Sequence, residues 1–127
     1  MAHPEHDALA AAREHSDDIV TFLREMISIP AESGKERARC ERVHAEYERL
    51  GFDEVFFDGL GTVVARVGDG PLTILMDGHI DCVGVGDPDA WTHDPFEGKL
   101  EDGRVWGRGA VDELPAISCM AYGAKIL

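Results

Sequence analysis

Leu72-Thr73-Ile74-Leu75-Met76-Asp77-Gly78-His79-Ile80-Asp81 is the stretch whose reading decides the fold. The run Leu72 to Met76 carries no charge and follows the turn residues Asp69-Gly70-Pro71. A short apolar run bounded in this way predicts a strand buried on both faces, as strands are in mostly parallel sheets. The polar groups begin where the run stops. In open α/β sheets, ligands gather at the carboxyl ends of strands. Residues two apart in extended chain share a side, so His79 and Asp81 can point together. A neutral imidazole is a good zinc ligand. A carboxylate beside it orients the ring and raises its basicity. Gly78 lets the backbone approach closely. Taken alone, His-x-Asp reads first as a histidine bonded to a neighbouring aspartate.

Upstream, the pattern is helical from about Pro4 to Ile29. Ile19, Phe22, Leu23, Met26 and Ile27 fall on one face. Pro30 ends the run, because the residue before proline is pushed out of the helical region. Ser33-Gly34-Lys35-Glu36 has the form of a capping box that opens a second helix. Cys40, Val43, Tyr47 and Leu50 are its expected inner stripe, and Gly51 its left-handed stop. Strands are expected over Glu54–Asp58 and Thr62–Val67, separated by Gly59-Leu60-Gly61.

Downstream, a polar loop runs from about Cys82 to Phe96. Lys99-Leu100 and Arg104-Val105-Trp106 flank Glu101-Asp102-Gly103, a hairpin pattern. A final helix is expected from near Pro115 to Leu127, with the proline at an early helical position. Before it stands Gly107-Arg108-Gly109-Ala110-Val111-Asp112. Asp112 reads as a helix N-cap or as a carboxylate presented to metal, able to bridge two cations about 3.5–4 Å apart.

Taken together, His79-Ile80-Asp81, Trp91-Thr92-His93-Asp94-Pro95-Phe96 and Gly107–Asp112, in this order and spacing, resemble one family. It is the zinc metallopeptidase and deacylase family of acetylornithine deacetylase, succinyl-diaminopimelate desuccinylase, aminoacylase and glutamate carboxypeptidase. The resemblance implies an α/β fold: the N-terminal portion of a mixed, mostly parallel sheet flanked by helices, incomplete. Residues 1–127 would be the N-terminal part of the catalytic domain, without its C-terminal part and without the lid or dimerisation domain. The implied function is zinc-dependent hydrolysis of an amide bond in an N-acyl amino acid or small peptide. His79 would bind one zinc, Asp112 would bridge two, and Asp81 would be the catalytic aspartate that orients the histidine. Cobalt or manganese suits the same donors.

The family's general-base glutamate and remaining ligands lie further downstream than this chain reaches, so the isolated chain is expected to be inactive. The alternative is a non-catalytic remnant or interaction module of the same fold. Glu113-Leu114-Pro115-Ala116 departs from the family, in which many members carry a charged residue two positions after the bridging aspartate and then glycine. The departure leaves the role of a charge there open.

Composition narrows the partners. The net charge is −13, from 25 acidic and 12 basic residues, which disfavours nucleic acid as a ligand. No run approaches the ~20 apolar residues of a membrane span. Met1–Asp7 lacks the basic and apolar parts of a signal peptide. Cys40, Cys82 and Cys119 are odd in number and far apart, as in a reducing, cytoplasmic setting. His3, His6 and His15 read as solvated. Trp91 and Phe96 read as loop anchors. The isolated chain is expected to self-associate through the apolar Ala116–Leu127 helix, because a truncated α/β sheet leaves a strand edge or helix face uncovered.

Overall fold

The computed structural model describes residues 4–127, with side chains from residue 8 onward; the readings of His3 and of the His6 side chain lie outside the described residues. Four helices and two small hairpins make a mixed α/β arrangement. Helix α1 spans Pro4–Glu14 and α2 spans Ser16–Ile27. The single helix expected over Pro4–Ile29 is therefore divided at His15, although Ile19 N–H still donates to the His15 carbonyl at 2.9 Å. Helix α2 buries Phe22, Leu23, Met26 and Ile27, the face its 3.6-residue period predicts.

Helix α3, Arg37–Leu50, stops at Gly51, whose φ of 76° is the left-handed cap. Its start corrects the capping-box reading. Glu36 is the N-cap without a side-chain cap bond, its carboxylate accepts Gly34 N–H, and Ser33 turns elsewhere. Its stripe also differs: Arg39 and Glu46 are buried alongside Val43 and Leu50, while Cys40 and Tyr47 are only half-buried. Two charged residues are tolerated inside because each is fully bonded. Glu46 accepts from Tyr122 (2.6 Å), Arg49 (2.6 Å) and Arg42 (2.8 Å).

Strands β1 (Glu54–Phe57) and β2 (Val63–Arg66) pair antiparallel, with Val55 opposite Ala65. Strands β3 (Lys99–Glu101) and β4 (Arg104–Trp106) form the second hairpin. Its two-residue turn has Asp102 at φ 51° and Gly103 at φ 73°, both left-handed, as the twist of a tight hairpin demands. Helix α4, Leu114–Ile126, carries Pro115 in its first turn. It packs Leu114, Ile117, Ala121 and Tyr122 against α2 and α3 in one core. That helix does not present the open apolar face expected of Ala116–Leu127.

The mostly parallel sheet does not form among the described residues: both sheets are two-stranded and antiparallel. Leu72–Met76 belongs to neither sheet, and Leu72, Ile74 and Leu75 are 79%, 78% and 88% exposed. The physical reason is that a strand is completed by backbone partners alongside it. The apolar pattern is present, but no described strand supplies the partner.

Candidate metal centre

Four crossings hold Gly78–Cys82 in place without a sheet. Cys82 N–H donates to the Ala31 carbonyl at 2.8 Å. The fully buried Arg39 guanidinium donates to the Ile80 carbonyl at 2.5 Å and also to the Ile29 carbonyl. Ser33 Oγ donates to Asp81 Oδ2. Glu113 accepts the His79 backbone N–H at 2.7 Å. The loop that Pro30 creates between α2 and α3 thus becomes the clamp for the imidazole-bearing segment. Below the segment lies an open cavity of about 330 Å³, shared by α3, the Leu60–Val63 loop and Gly78–Asp81.

All three residues singled out by the motif converge. His79 Nδ1 lies 3.3 Å from Asp81 Oδ1, and His79 Nε2 lies 3.2 Å from Asp112 Oδ1. The imidazole is half-exposed and the Asp112 side chain almost fully so. Asp112 is brought here by the Gly107–Val111 turn. Gly109 has φ 86°, and a Cβ on it would lie 2.7 Å from Cys82 Sγ and 2.8 Å from Leu114 Cδ1. Glycine is required there on both counts. Asp112 does not act as the cap of α4; Glu113 occupies the N-cap position, with no side-chain cap bond.

Glu113 joins the cluster. One donor atom from each of His79, Asp112 and Glu113 falls within 4.8 Å of the others. The motif assigns Glu113 no role. Ser33 and Arg39 also escaped the motif, since their contacts cross 48 and 41 residues. The only hint in the sequence was a serine and an arginine beside a helix start.

Charge follows from this geometry. Desolvation, the largest single influence, pulls the His79 imidazole down. The bond to the Asp81 carbonyl and the charges of Glu113, Asp112 and Asp81 outweigh it, so its pKa stands above the ordinary 6.5. The Ser33 hydroxyl, and then the His79 charge, hold Asp81 below the ordinary 3.8 despite some desolvation. Carboxylates arrayed around one imidazole favour positive charge at this point, whether as a proton or as a metal ion. The donor set, one imidazole nitrogen with carboxylate oxygens, suits zinc and its neighbours.

Trp91 anchors its loop as expected. Trp91 Nε1 donates to the Val85 carbonyl at 2.9 Å, and Arg108 stacks on its ring at 4.8 Å. Among the described residues, no helix is long and apolar enough to cross a membrane.

Residues 75–127 match Peptidase family M20/M25/M40. The chain is 40% identical over 119 residues to the uncharacterized protein YgeY of Escherichia coli (strain K12), covering 94% of this chain and 30% of YgeY. It is 35% identical over 102 residues to the succinyl-diaminopimelate desuccinylase of Rhodospirillum centenum, covering 75% of this chain and 26% of that protein. The corresponding enzyme of Methylorubrum extorquens is 39% identical over 82 residues, covering 65% of this chain and 21% of the enzyme. The chain thus spans less than a third of the length of these relatives.

Proposed function

This chain belongs to peptidase family M20/M25/M40, and from that premise we propose that it supplies one side of a metal-dependent amide-hydrolysing centre. The convergence of His79, Asp81 and Asp112 carries the reading. His79 Nε2, which faces Asp112, is the ligand nitrogen, because Nδ1 is engaged by Asp81. Asp112 offers two carboxylate oxygens for one metal or for a bridge between two. Asp81, braced by Ser33, fixes the ring's orientation and makes the nitrogen a better donor. Zinc bound here would polarise a substrate carbonyl and acidify water toward a pKa of about 7.

Substrates of the complete protein are proposed to be N-acyl amino acids or small peptides, by similarity to the desuccinylases. Catalytic zinc takes about three protein ligands, and two metals need more donors than this cluster contains. The chain by itself therefore binds metal without catalysing hydrolysis, and the general base comes from outside these residues. In the complete protein, Leu72–Met76 is read as a strand of a mostly parallel sheet, paired by segments that the longer relatives possess. The unpaired cysteines among the described residues support a reducing, cytoplasmic setting.

The test is a zinc titration of the full chain by calorimetry, beside His79→Ala and Asp112→Ala. The parent is expected to bind one zinc ion, and each variant to lose most of that affinity. Equal binding by all three would exclude this centre. A parent chain with two tightly held zinc ions and amidase activity would overturn its incompleteness.

A further inference from the structure

Glu113 is the cluster member to which the motif gives no task. Its carboxylate accepts the His79 backbone N–H at 2.7 Å across 34 residues of sequence. Gly78 bears on the same contact: a Cβ there would stand 2.7 Å from Glu113 Oε1 and 2.9 Å from Ile117 Cδ1. The bond and the bare α-carbon beside it are two views of one close approach. Asp112, by contrast, is almost fully exposed and meets the imidazole at 3.2 Å. Its placement depends on the turn that carries it, and Glu113 is where that turn is tied to the His79 segment. Beyond Glu113 the chain is anchored by Leu114 and Ile117 in the core.

We propose that Glu113 is a positioning residue: its carboxylate locks the His79 backbone to the Asp112 turn and so sets the spacing between imidazole and carboxylate, and residue 78 is glycine to leave room for that lock. The lock acts through hydrogen-bond acceptance, not through ligation. Its effect on metal binding rests on the metal-centre reading above, whereas the lock itself does not.

The experiment uses the full chain, labelled with nitrogen-15 and free of metal, with Glu113→Ala, Glu113→Gln and Gly78→Ala. In Glu113→Ala and Gly78→Ala the His79 amide is expected to shift upfield and to exchange about tenfold faster with solvent. Glu113→Gln keeps an acceptor oxygen and is expected to keep the parent's amide behaviour. Remaining amide signals in each spectrum report whether the variant is folded. In a parallel zinc titration, Glu113→Ala and Gly78→Ala should lose about tenfold or more in affinity, the usual cost of removing a support behind a ligand. Glu113→Gln should stay close to the parent. An unchanged His79 amide in Glu113→Ala overturns the proposal. So does a Glu113→Gln variant with a protected amide that loses zinc as fully as Glu113→Ala, because that outcome makes Glu113 a ligand. A parent chain that binds no zinc refutes the metal-centre reading instead, and the amide measurement then decides the lock alone.

Discussion

Replacing Glu46 by glutamine tests the buried charge that joins α3 to α4. Glu46 is 1% exposed. Its two oxygens accept from Arg42, Arg49 and Tyr122, the last of these on α4. Burial by itself would push this carboxyl up, but the bonds from Arg49, Tyr122 and Arg42 win and hold it down to about 2, against an ordinary 4.5. At about 1.4 kcal/mol per pH unit, that gap amounts to roughly 3 kcal/mol. Arg49 is 53% exposed and Arg42 24%, so water screens part of it. Glu46→Gln is therefore expected to lose about 2 kcal/mol at neutral pH, below the roughly 3–5 kcal/mol that breaking a fully buried pair costs. The pKa is lowered in the folded state, so this stability is whole above pH 4.5 and is lost as pH falls toward 2. Urea unfolding followed by circular dichroism at pH 7, 4.5 and 3 gives the readout. The difference between parent and variant should shrink to less than half by about pH 3. A variant within about 0.5 kcal/mol of the parent at neutral pH, or a difference that does not change with pH, would refute the reasoning.

Other expectations follow from the site and its supports. Zinc needs a neutral imidazole, and the pKa of His79 lies above 6.5; affinity should rise steeply from pH 5.5 to pH 8 with release of a proton, which calorimetry in two buffers of different ionisation enthalpy detects. Ser33→Ala removes the largest influence lowering the Asp81 pKa, so carbon-13 NMR should find that carboxyl titrating at higher pH, and no change would remove Ser33 from the centre. Gly109→Ala forces a side chain into a left-handed position already filled by Cys82 and Leu114; a loss of about 2–4 kcal/mol in urea unfolding is expected, and a loss below about 0.5 kcal/mol would contradict the packing. The isolated chain should associate through Leu72–Met76, the exposed apolar row. Light scattering should then report less association for a variant with Ile74→Asn and Leu75→Asn, and a monomeric parent at high concentration would dispose of the idea.

Periodicity and turn chemistry made much of this chain legible before any coordinates. The apolar face of α2, the Gly51 stop, the Asp102-Gly103 turn and Pro115 at the start of α4 all follow from interactions within a few residues. Imidazole and carboxylates in a recognisable order pointed to His79, Asp81 and Asp112; their side chains lie together, and their chemical roles are the proposal made above. Local rules failed where partners are remote. The stripe of α3 holds at Val43 and Leu50, with Tyr47 packed against the core, but it omits Arg39 and Glu46 because charged residues are expected outside; Arg39 goes inside by finding acceptors on other segments, and Glu46 by accepting from Arg42, Arg49 and Tyr122. The capping box failed because Ser33 has a better acceptor in Asp81, 48 residues away.

What Leu72–Asp81 determined by itself is its own character: an extended apolar run that ends in a histidine and aspartates. Whether that run is a sheet strand was for tertiary structure to decide, because pairing requires a second backbone that no single segment contains. Tertiary structure likewise recruited Ser33, Arg39 and Glu113 around His79. Each of these contacts joins segments more than 30 residues apart, and its energy depends on the closing of the fold between them.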